Sequence, residues 1–457
     1  MKGGGHQRYL PERLGENQDE AVVDTRSGAS ANAAQAFLER NQGWNFAVNV
    51  ANMSLFNLAM SFIYGSTVLS LYASYLTDSA VLIGLIPAVQ NAMFFIPQLL
   101  LARHVQTLPR IKPFVTRLSL GERLPYGIVA LTILLWPGAP RWAAYAILAL
   151  SLTLAMGAGG VSNPAWKKMI AKVVPVRRRG LLFGTSNALG GLMGVGGAAL
   201  SRYVFARWEY PYTFGISFLL CFAAQMASWA ILNLNREPTV EVQSQALESR
   251  EYWRRLPQLL RQDRNFSRFL ISRTLAMLGT MGMAFYVVYA RDAFQVSDVF
   301  VASLTMAALI SQTVSTPLLG LIADWRGHKL LMELSGLFLV AAILTIIAAP
   351  QANWLYVVFV LVNVSMASGM IAGMAITMEF GPPEEMPTYS ALASTVQALP
   401  ILLAPLIGGW LVDWLGFQAM FITAVAFSLA GVLYMRLFVR DPRHEAPASP
   451  LAGGAKD

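Results

Sequence analysis

Cysteine, histidine and charge are scarce in this chain. Its 457 residues include one cysteine and four histidines. Cys221 has no partner for an internal disulfide, and four scattered histidines with one thiol make no zinc-ligand pattern. A phosphate-binding Gly-x-x-x-x-Gly-Lys-Ser/Thr loop is missing, as are a His-Glu-x-x-His pair and paired intramembrane aspartates. Nucleotide hydrolysis, metal hydrolysis and intramembrane proteolysis therefore have no residues to carry them, and neither an enzymatic role nor a cofactor is expected. Charged residues make up 13% of the chain, where soluble proteins carry about 25%.

What is present is apolar. Hydrophobic residues are 55% of the chain and its mean hydropathy is +0.50. They fall into runs long enough to cross the roughly 30 Å of bilayer hydrocarbon as helices. Twelve such runs are predicted, at about 46–74, 80–102, 118–136, 142–163, 180–204, 212–233, 266–290, 298–321, 329–348, 353–378, 389–412 and 416–438. The expected fold is an all-α membrane protein of twelve transmembrane helices. An even number of crossings returns both ends of the chain to one side. Lysine and arginine then decide which side: 28 lie in the tails and in the connections on their side, against Arg141, Arg202, Arg207 and Arg291 opposite. By the positive-inside tendency both termini are expected in the cytoplasm, with the protein in the cytoplasmic (inner) membrane. The net charge of +9 is accounted for by this asymmetry, and no nucleic-acid partner is expected.

The one long polar connection divides the crossings six and six. Expected units are a disordered cytoplasmic tail at 1–44, a first six-helix bundle at 45–235, a cytoplasmic linker at 236–265, a second bundle at 266–438 and a tail at 439–457. Within the linker, Tyr252-Trp253-Arg254-Arg255-Leu256-Pro257 through Arg261 has the basic, aromatic pattern of a helix lying on anionic lipid, or of a solvated linker that Pro257 interrupts. The halves echo each other. Pro175-Val-Arg-Arg-Arg-Gly180 opens the fifth run where Pro383-Glu-Glu-Met-Pro-Thr388 opens the eleventh.

Between the eighth and ninth runs stands Gly320-Leu-Ile-Ala-Asp324-Trp-Arg326-Gly327-His328-Lys329. It resembles the signature loop of the major facilitator superfamily of secondary transporters, Gly-x-x-x-Asp-Arg-x-Gly-Arg-Arg/Lys. Gly320, Asp324, Gly327 and Lys329 match; Trp325 replaces an arginine, and Arg326 stands one place late. The corresponding first-half loop at 102–113 keeps its bases but has neither Asp nor Gly. The resemblance covers about 46–438 and implies two parallel six-helix bundles that rock around a midplane site. It implies transport of a small organic solute by a monomer surrounded by membrane lipid. A second signature, Gly-Pro-x-x-Gly-Gly of the family's antiporters, is approached by Gly190-Gly191-x-x-Gly194-Val195-Gly196-Gly197, with Val195 at the proline, which tilts the expected direction toward efflux. A non-transporting sensor or scaffold of the same fold is the alternative.

Polar groups at mid-membrane are the candidate solute contacts, because lipid cannot satisfy them. They are Asn57 in the first run, Gln90 and Asn91 in the second, Asn187 in the fifth, Gln312 in the eighth and Gln397 in the eleventh; helix-to-helix hydrogen bonds, worth about 0.6 kcal/mol each, are the competing role. Asn45, Asn49 and Asn52 share one helix face and either floor a cavity or clasp a neighbouring helix. In the tenth run Asn363, Met366 and Met370 are candidates, with Met281 and Tyr286 from the seventh; the methionines serve equally as packing. Arg273 is placed to pair with a neighbour, reach the inner surface or meet a substrate anion. By the resemblance the first, fourth, seventh and tenth runs line the cavity, and no carboxylate is expected at mid-span in them; Glu122 and Arg123, near the start of the third run, are expected to pair with neighbours near the interface, which leaves facilitated diffusion, exchange, or coupling through Glu122 or Asp324. Besides the 320–329 loop, Arg177, Arg178 and Arg179 are expected to gate the cytoplasmic face by pairing with Glu379, Glu384 and Glu385 when the cavity opens outward.

Overall fold

The computed structural model describes residues 16–106, 110–238, 259–377, 379–380 and 386–444. Among them secondary structure is helical, with no strand. The first crossing is α1 (Glu16–Phe62), a short π-helical turn at Gly65–Leu69 and α2 (Ser70–Leu76). Then follow α3 (Ala80–Gln106), α4 (Lys112–Leu135), α5 (Arg141–Val173), α6 (Val176–Arg207) and α7 (Tyr212–Leu232). The seventh crossing is a broken helix in which α8 (Arg264–Leu278) continues through a 3-10 turn at Gly279–Ala284 into α9 (Tyr286–Phe294), with a bend of 41°. After it come α10 (Asp298–Arg326), α11 (His328–Ala348), α12 (Trp354–Ile376) and α13 (Met386–Phe438). The last of these makes two crossings, because Gly416 at φ 82° interrupts it. Length and apolarity alone mark nine described helices as membrane-crossing, and the bent seventh adds another. The break at Gly416 and the glycine-rich α6, held lengthwise against α1 and α10, bring the described helices to twelve crossings.

Two helix starts differ from the sequence expectation. α1 begins at Glu16, so residues 16–44 are helical and not a disordered tail; the alanines between 29 and 36 are the strongest helix formers available. α4 begins at Lys112 and not near 118. Its start is fixed from outside the helix, since the Glu237 carboxylate accepts the Ile111 and Lys112 N–H groups at 3.0 and 2.8 Å and pairs with Lys172 at 3.2 Å. Hydropathy does not register such a cap. The 252–258 stretch of the proposed interfacial helix and the tail beyond 444 lie outside the described residues.

Each six-crossing lobe is closed by the same clasp. In the first, the Asn45 side chain accepts the Arg236 N–H at 2.9 Å and donates to the Arg236 carbonyl at 3.0 Å. In the second, Asn265 does the same to Arg440, at 2.8 and 3.1 Å. The sequence repeats with it: Asn45-Phe46 and Asn265-Phe266 open the lobes, Arg236-Glu237-Pro238 and Arg440-Asp441-Pro442 close them. These clasps mark the near face, the one that carries the described chain ends. A shorter repeat links opposite faces. Gly320-x-x-x-Asp324-Trp-x-Gly327 ends α10 at the near face, and Gly409-x-x-x-Asp413-Trp-x-Gly416 ends the eleventh crossing at the far face. Both final glycines have positive φ, 95° and 82°, which side chains other than glycine rarely adopt.

Candidate functional site

The lobes meet along α3 with α13 and along α6 with α10. Among the described residues the hydrogen bonds between lobes all belong to the far-face half. Nearest the middle, the Tyr64 hydroxyl donates to Asn363 Oδ1 at 2.7 Å and the Thr67 and Thr305 hydroxyls meet at 2.6 Å. Nearer the surface, Tyr75 donates to the Asp298 carboxylate at 2.9 Å. Arg291 lies 4.0 Å over the Tyr75 ring and donates to Ser74 at 2.9 Å. At the rim, Asp413 of the second lobe caps the first turn of α3 in the first lobe, accepting the Ala80 and Val81 N–H groups at 2.7 and 3.1 Å and the Ser79 hydroxyl at 2.9 Å. A carboxylate there completes orphan donors and faces the positive end of the helix dipole. Two glycines permit the approach: a Cβ on Gly84 would collide with the Pro405 carbonyl, and one on Gly409 with the Ala80 carbonyl. The far face is sealed. At the near face no hydrogen bond between the lobes occurs among the described residues.

Behind the seal the first lobe encloses a cavity of about 260 Å³. Asn57 and Asn187 line it, and neither side chain has a hydrogen-bond partner among the described residues. Phe56, Phe94 and Trp166 supply apolar wall. The cavity also contains Glu122, which is paired with Arg123 at 3.3 Å. α4 begins at Lys112, and Glu122 stands ten residues along it, about 15 Å from its near-face end. Arg123 beside it is structural: Nη1 donates to the Ser119 carbonyl at 2.7 Å and to Glu122 at 3.3 Å, and Nε to the Gln225 carbonyl at 3.0 Å. Both side chains reach the cavity wall, and Arg123 is held there by its carbonyl partners.

Other sequence candidates separate. Asn49 is fully buried and bonds Asn235 at 2.6 Å, and Asn52 bonds both Ser228 oxygens at 2.9 Å while its edge reaches the cavity. Asn45, Asn49 and Asn52 are thus a clasp along the first lobe more than a cavity floor. Met281 and Tyr286 belong to packed core, Tyr286 lying between Phe421 and Phe359, and do not line a cavity. Met366 and Met370 project from α12 and are about half exposed, whereas Asn363 turns inward to Tyr64. Gln90, Asn91 and Gln312 are half-buried on α3 and α10 without described hydrogen bonds from their side chains. Gln397 accepts from Arg273 at 3.4 Å.

At the near face, Arg177 and Arg178 are exposed, and Arg179 donates to the Ala171 and Val174 carbonyls that end α5. Glu379 does not reach them. It pairs within its own lobe with Arg443 at 2.8 Å and His328 at 2.6 Å, and Glu384 and Glu385 lie outside the described residues. In the 320–329 loop, Lys329 pairs with Glu333 at 3.6 Å, Asp324 and Arg326 are exposed, and Gly320 is uncrowded. Sequence reasoning missed Tyr75, Asp298 and the sealing role of Arg291. The available signal was the scarcity of bases on that face, which leaves each of the four there in need of a reason.

Among curated protein sequences none matches the chain. Solved structures similar to it are membrane transporters. A mutant of the nucleoside transporter NupG superposes with a TM-score of 0.68 at 10% identity, covering 86% of this chain and 98% of that one. A D-xylose-proton symporter gives 0.67 at 14% identity, covering 87% and 98%. A bacterial homologue of the human lysosomal transporter Spinster, inward-facing and unoccupied, gives 0.59 at 14%, covering 86% and 97%. At these identities the likeness carries the fold. The family model described as Major Facilitator Superfamily matches residues 50–405 and 269–456. With two six-crossing lobes sealed at one face and nearly the whole sequence matched, the chain belongs to the major facilitator superfamily.

Proposed function

We propose that this chain is a secondary transporter that carries a small organic solute across the cytoplasmic membrane by alternating access, with the near face toward the cytoplasm. The observation that supports it most is the gathering of lobe-to-lobe hydrogen bonds at the far face, above a polar intramembrane cavity. A sensor or scaffold needs no such one-sided closure. Efflux is slightly favoured over uptake by the glycine series of α6, although Gly190 and Gly197 also serve to seat Asn57 and Ser61 of α1.

The internal repeat supplies the other half of the cycle. α3 and α6 are the second and fifth crossings, and α10 and the start of α13 are the eighth and eleventh. Asp413 caps α3 in the far-closed state. Its counterpart Asp324 faces no described partner and in this reading caps the first turn of α6, at Arg177 and Arg178, when the near face closes. The arginines of that turn would add attraction to Asp324, Glu384 and Glu385. Exposed pairs contribute only about 0–1 kcal/mol each, so the near gate biases an equilibrium without locking it. Glu122, the cavity carboxyl that can take and release a proton, is the coupling residue in this reading.

Reconstitution of the purified protein into liposomes tests the proposal. Counterflow of at least one labelled solute from a panel of sugars, amino acids, organic anions and lipophilic cations is expected. Inserted, monodisperse protein that moves none of them would favour the sensor or scaffold.

A further inference from the structure

Arg273 is the one mid-membrane charge that the described residues leave uncompensated. It stands on α8 nine residues past Arg264, about 14 Å from the near-face end of that helix. Its guanidinium has three contacts, all long: Nε to Gln397 Oε1 at 3.4 Å, Nη2 to the Gly369 carbonyl at 3.5 Å and Nη1 to Met332 Sδ at 3.6 Å. Good N–H···O bonds are near 2.9 Å. No carboxylate among the described residues lies within 4.0 Å of it, and the side chain is only part-buried despite its depth. Arg123, at similar depth in the other lobe, has its carboxylate and short carbonyl bonds. The guanidinium lies against Gly369 and Gly373, where a Cβ would stand 3.7 and 3.1 Å from its nitrogens. The parallel with the first lobe is close: Ser335 bonds Ser365 between the ninth and tenth crossings as Ser119 bonds Ser162 between the third and fourth.

An intramembrane arginine with five donors, no carboxylate beside it among the described residues and glycines against its guanidinium lacks, among those residues, a partner that can accept two parallel hydrogen bonds. We infer that Arg273 anchors an anion-binding site and that the transported solute is an organic anion, bound through a carboxylate or phosphate group. This rests on the transport reading above and narrows its solute class. Glu122 and Arg123 neutralise each other, so the middle of the protein carries one net positive charge, which the solute anion balances during passage.

The test combines thermal unfolding and uptake, with protein purified in Tris sulfate, free of chloride and of any carboxylate or phosphate. The probes are benzoate, succinate and glycerol 3-phosphate, with D-xylose and choline as neutral and cationic comparators and chloride as the inorganic one. At least one organic anion is expected to raise the unfolding temperature of the wild type and to enter liposomes. Which of the three does so separates carboxylate from phosphate recognition. Arg273→Gln should weaken that response about 10- to 100-fold, the loss of a charged bidentate contact, and Arg273→Lys less. Ligand-free Arg273→Gln should unfold at the same temperature as wild type or higher, because an uncompensated charge has been removed; a purely structural arginine predicts a fall. The inference is overturned if no organic anion acts, if chloride alone gives the same shift, or if Arg273→Gln responds as wild type does. It is overturned as well if Arg273→Gln destabilises the empty protein. Uptake of D-xylose or choline without any anion would sink the anion site and leave transport standing, and uptake of no probe would sink both.

Discussion

Removing the charge from Asp413 should open the far face. In the sealed state this carboxylate terminates the first turn of α3 across the lobe boundary, with three acceptor contacts between 2.7 and 3.1 Å. An N-cap is worth about 1 kcal/mol and the helix dipole about 0.3–1 kcal/mol more, less some screening because the group is exposed. Asp413→Asn keeps one acceptor and loses the charge, so the far-closed state should be weakened by about 1–2 kcal/mol relative to the far-open one. That moves the ratio of the two states about 5- to 30-fold. The chain suits a thiol assay, since its only cysteine, Cys221, is buried. Thr305→Cys places a thiol within the seal, where Thr305 is fully buried against Thr67. Its reaction rate with a hydrophilic maleimide in nanodiscs should rise about 5- to 30-fold when Asp413→Asn is added. Asp324→Asn in the same background should slow it by a similar factor, because the carboxylate proposed to hold the opposite state has been lost. Shifts of the same sign, or no shift beyond twofold in well-folded protein, would refute the two-gate reasoning.

Further outcomes follow from the same geometry. Glu122→Gln should fold, because Arg123 keeps the Ser119 and Gln225 carbonyls, and should lose gradient-driven accumulation while retaining solute exchange; equal loss of both would point to solute binding and not coupling. Gly84→Leu puts a side chain where the Pro405 carbonyl lies and should hold the far face open, seen as labelling of Thr305→Cys that solute no longer changes. Replacing Arg177, Arg178 and Arg179 with Glu should reduce transport, and adding Glu384→Lys with Glu385→Lys should restore part of it; correctly inserted proteins with no restoration would remove those glutamates from the near gate.

Crossings and their grouping were legible because lipid imposes a simple pattern: long apolar runs, with lysine and arginine sorted to one side. Helix starts were less so. The start of α4 depends on Glu237, more than a hundred residues away, and the place of Glu122 on the cavity wall depends on how α4 packs against its neighbours, which hydropathy does not register. The asparagines of α1 were correctly read as one face, but which face depends on Asn235 and Ser228 in α7 and just after it, which periodicity in α1 cannot reveal. Two repeats lay open in the sequence and needed the structure to give them meaning: the Asn-Phe and Arg-acid-Pro pairs at the lobe ends, and Gly-x-x-x-Asp-Trp-x-Gly at the two gates. Met366 and Met370 were open to either role, and they stand clear of the packed side of α12.

The clasps at Asn45 and Asn265 have a consequence for how such a chain can be made. Each joins the first helix of a lobe to the residues just after its last, so each lobe ties its own ends together before the next begins. A ribosome releasing residue 238 has already exposed everything the first clasp requires. Two separately translated polypeptides, divided anywhere between 239 and 258, would inherit one complete fastening apiece and need only find each other in the bilayer.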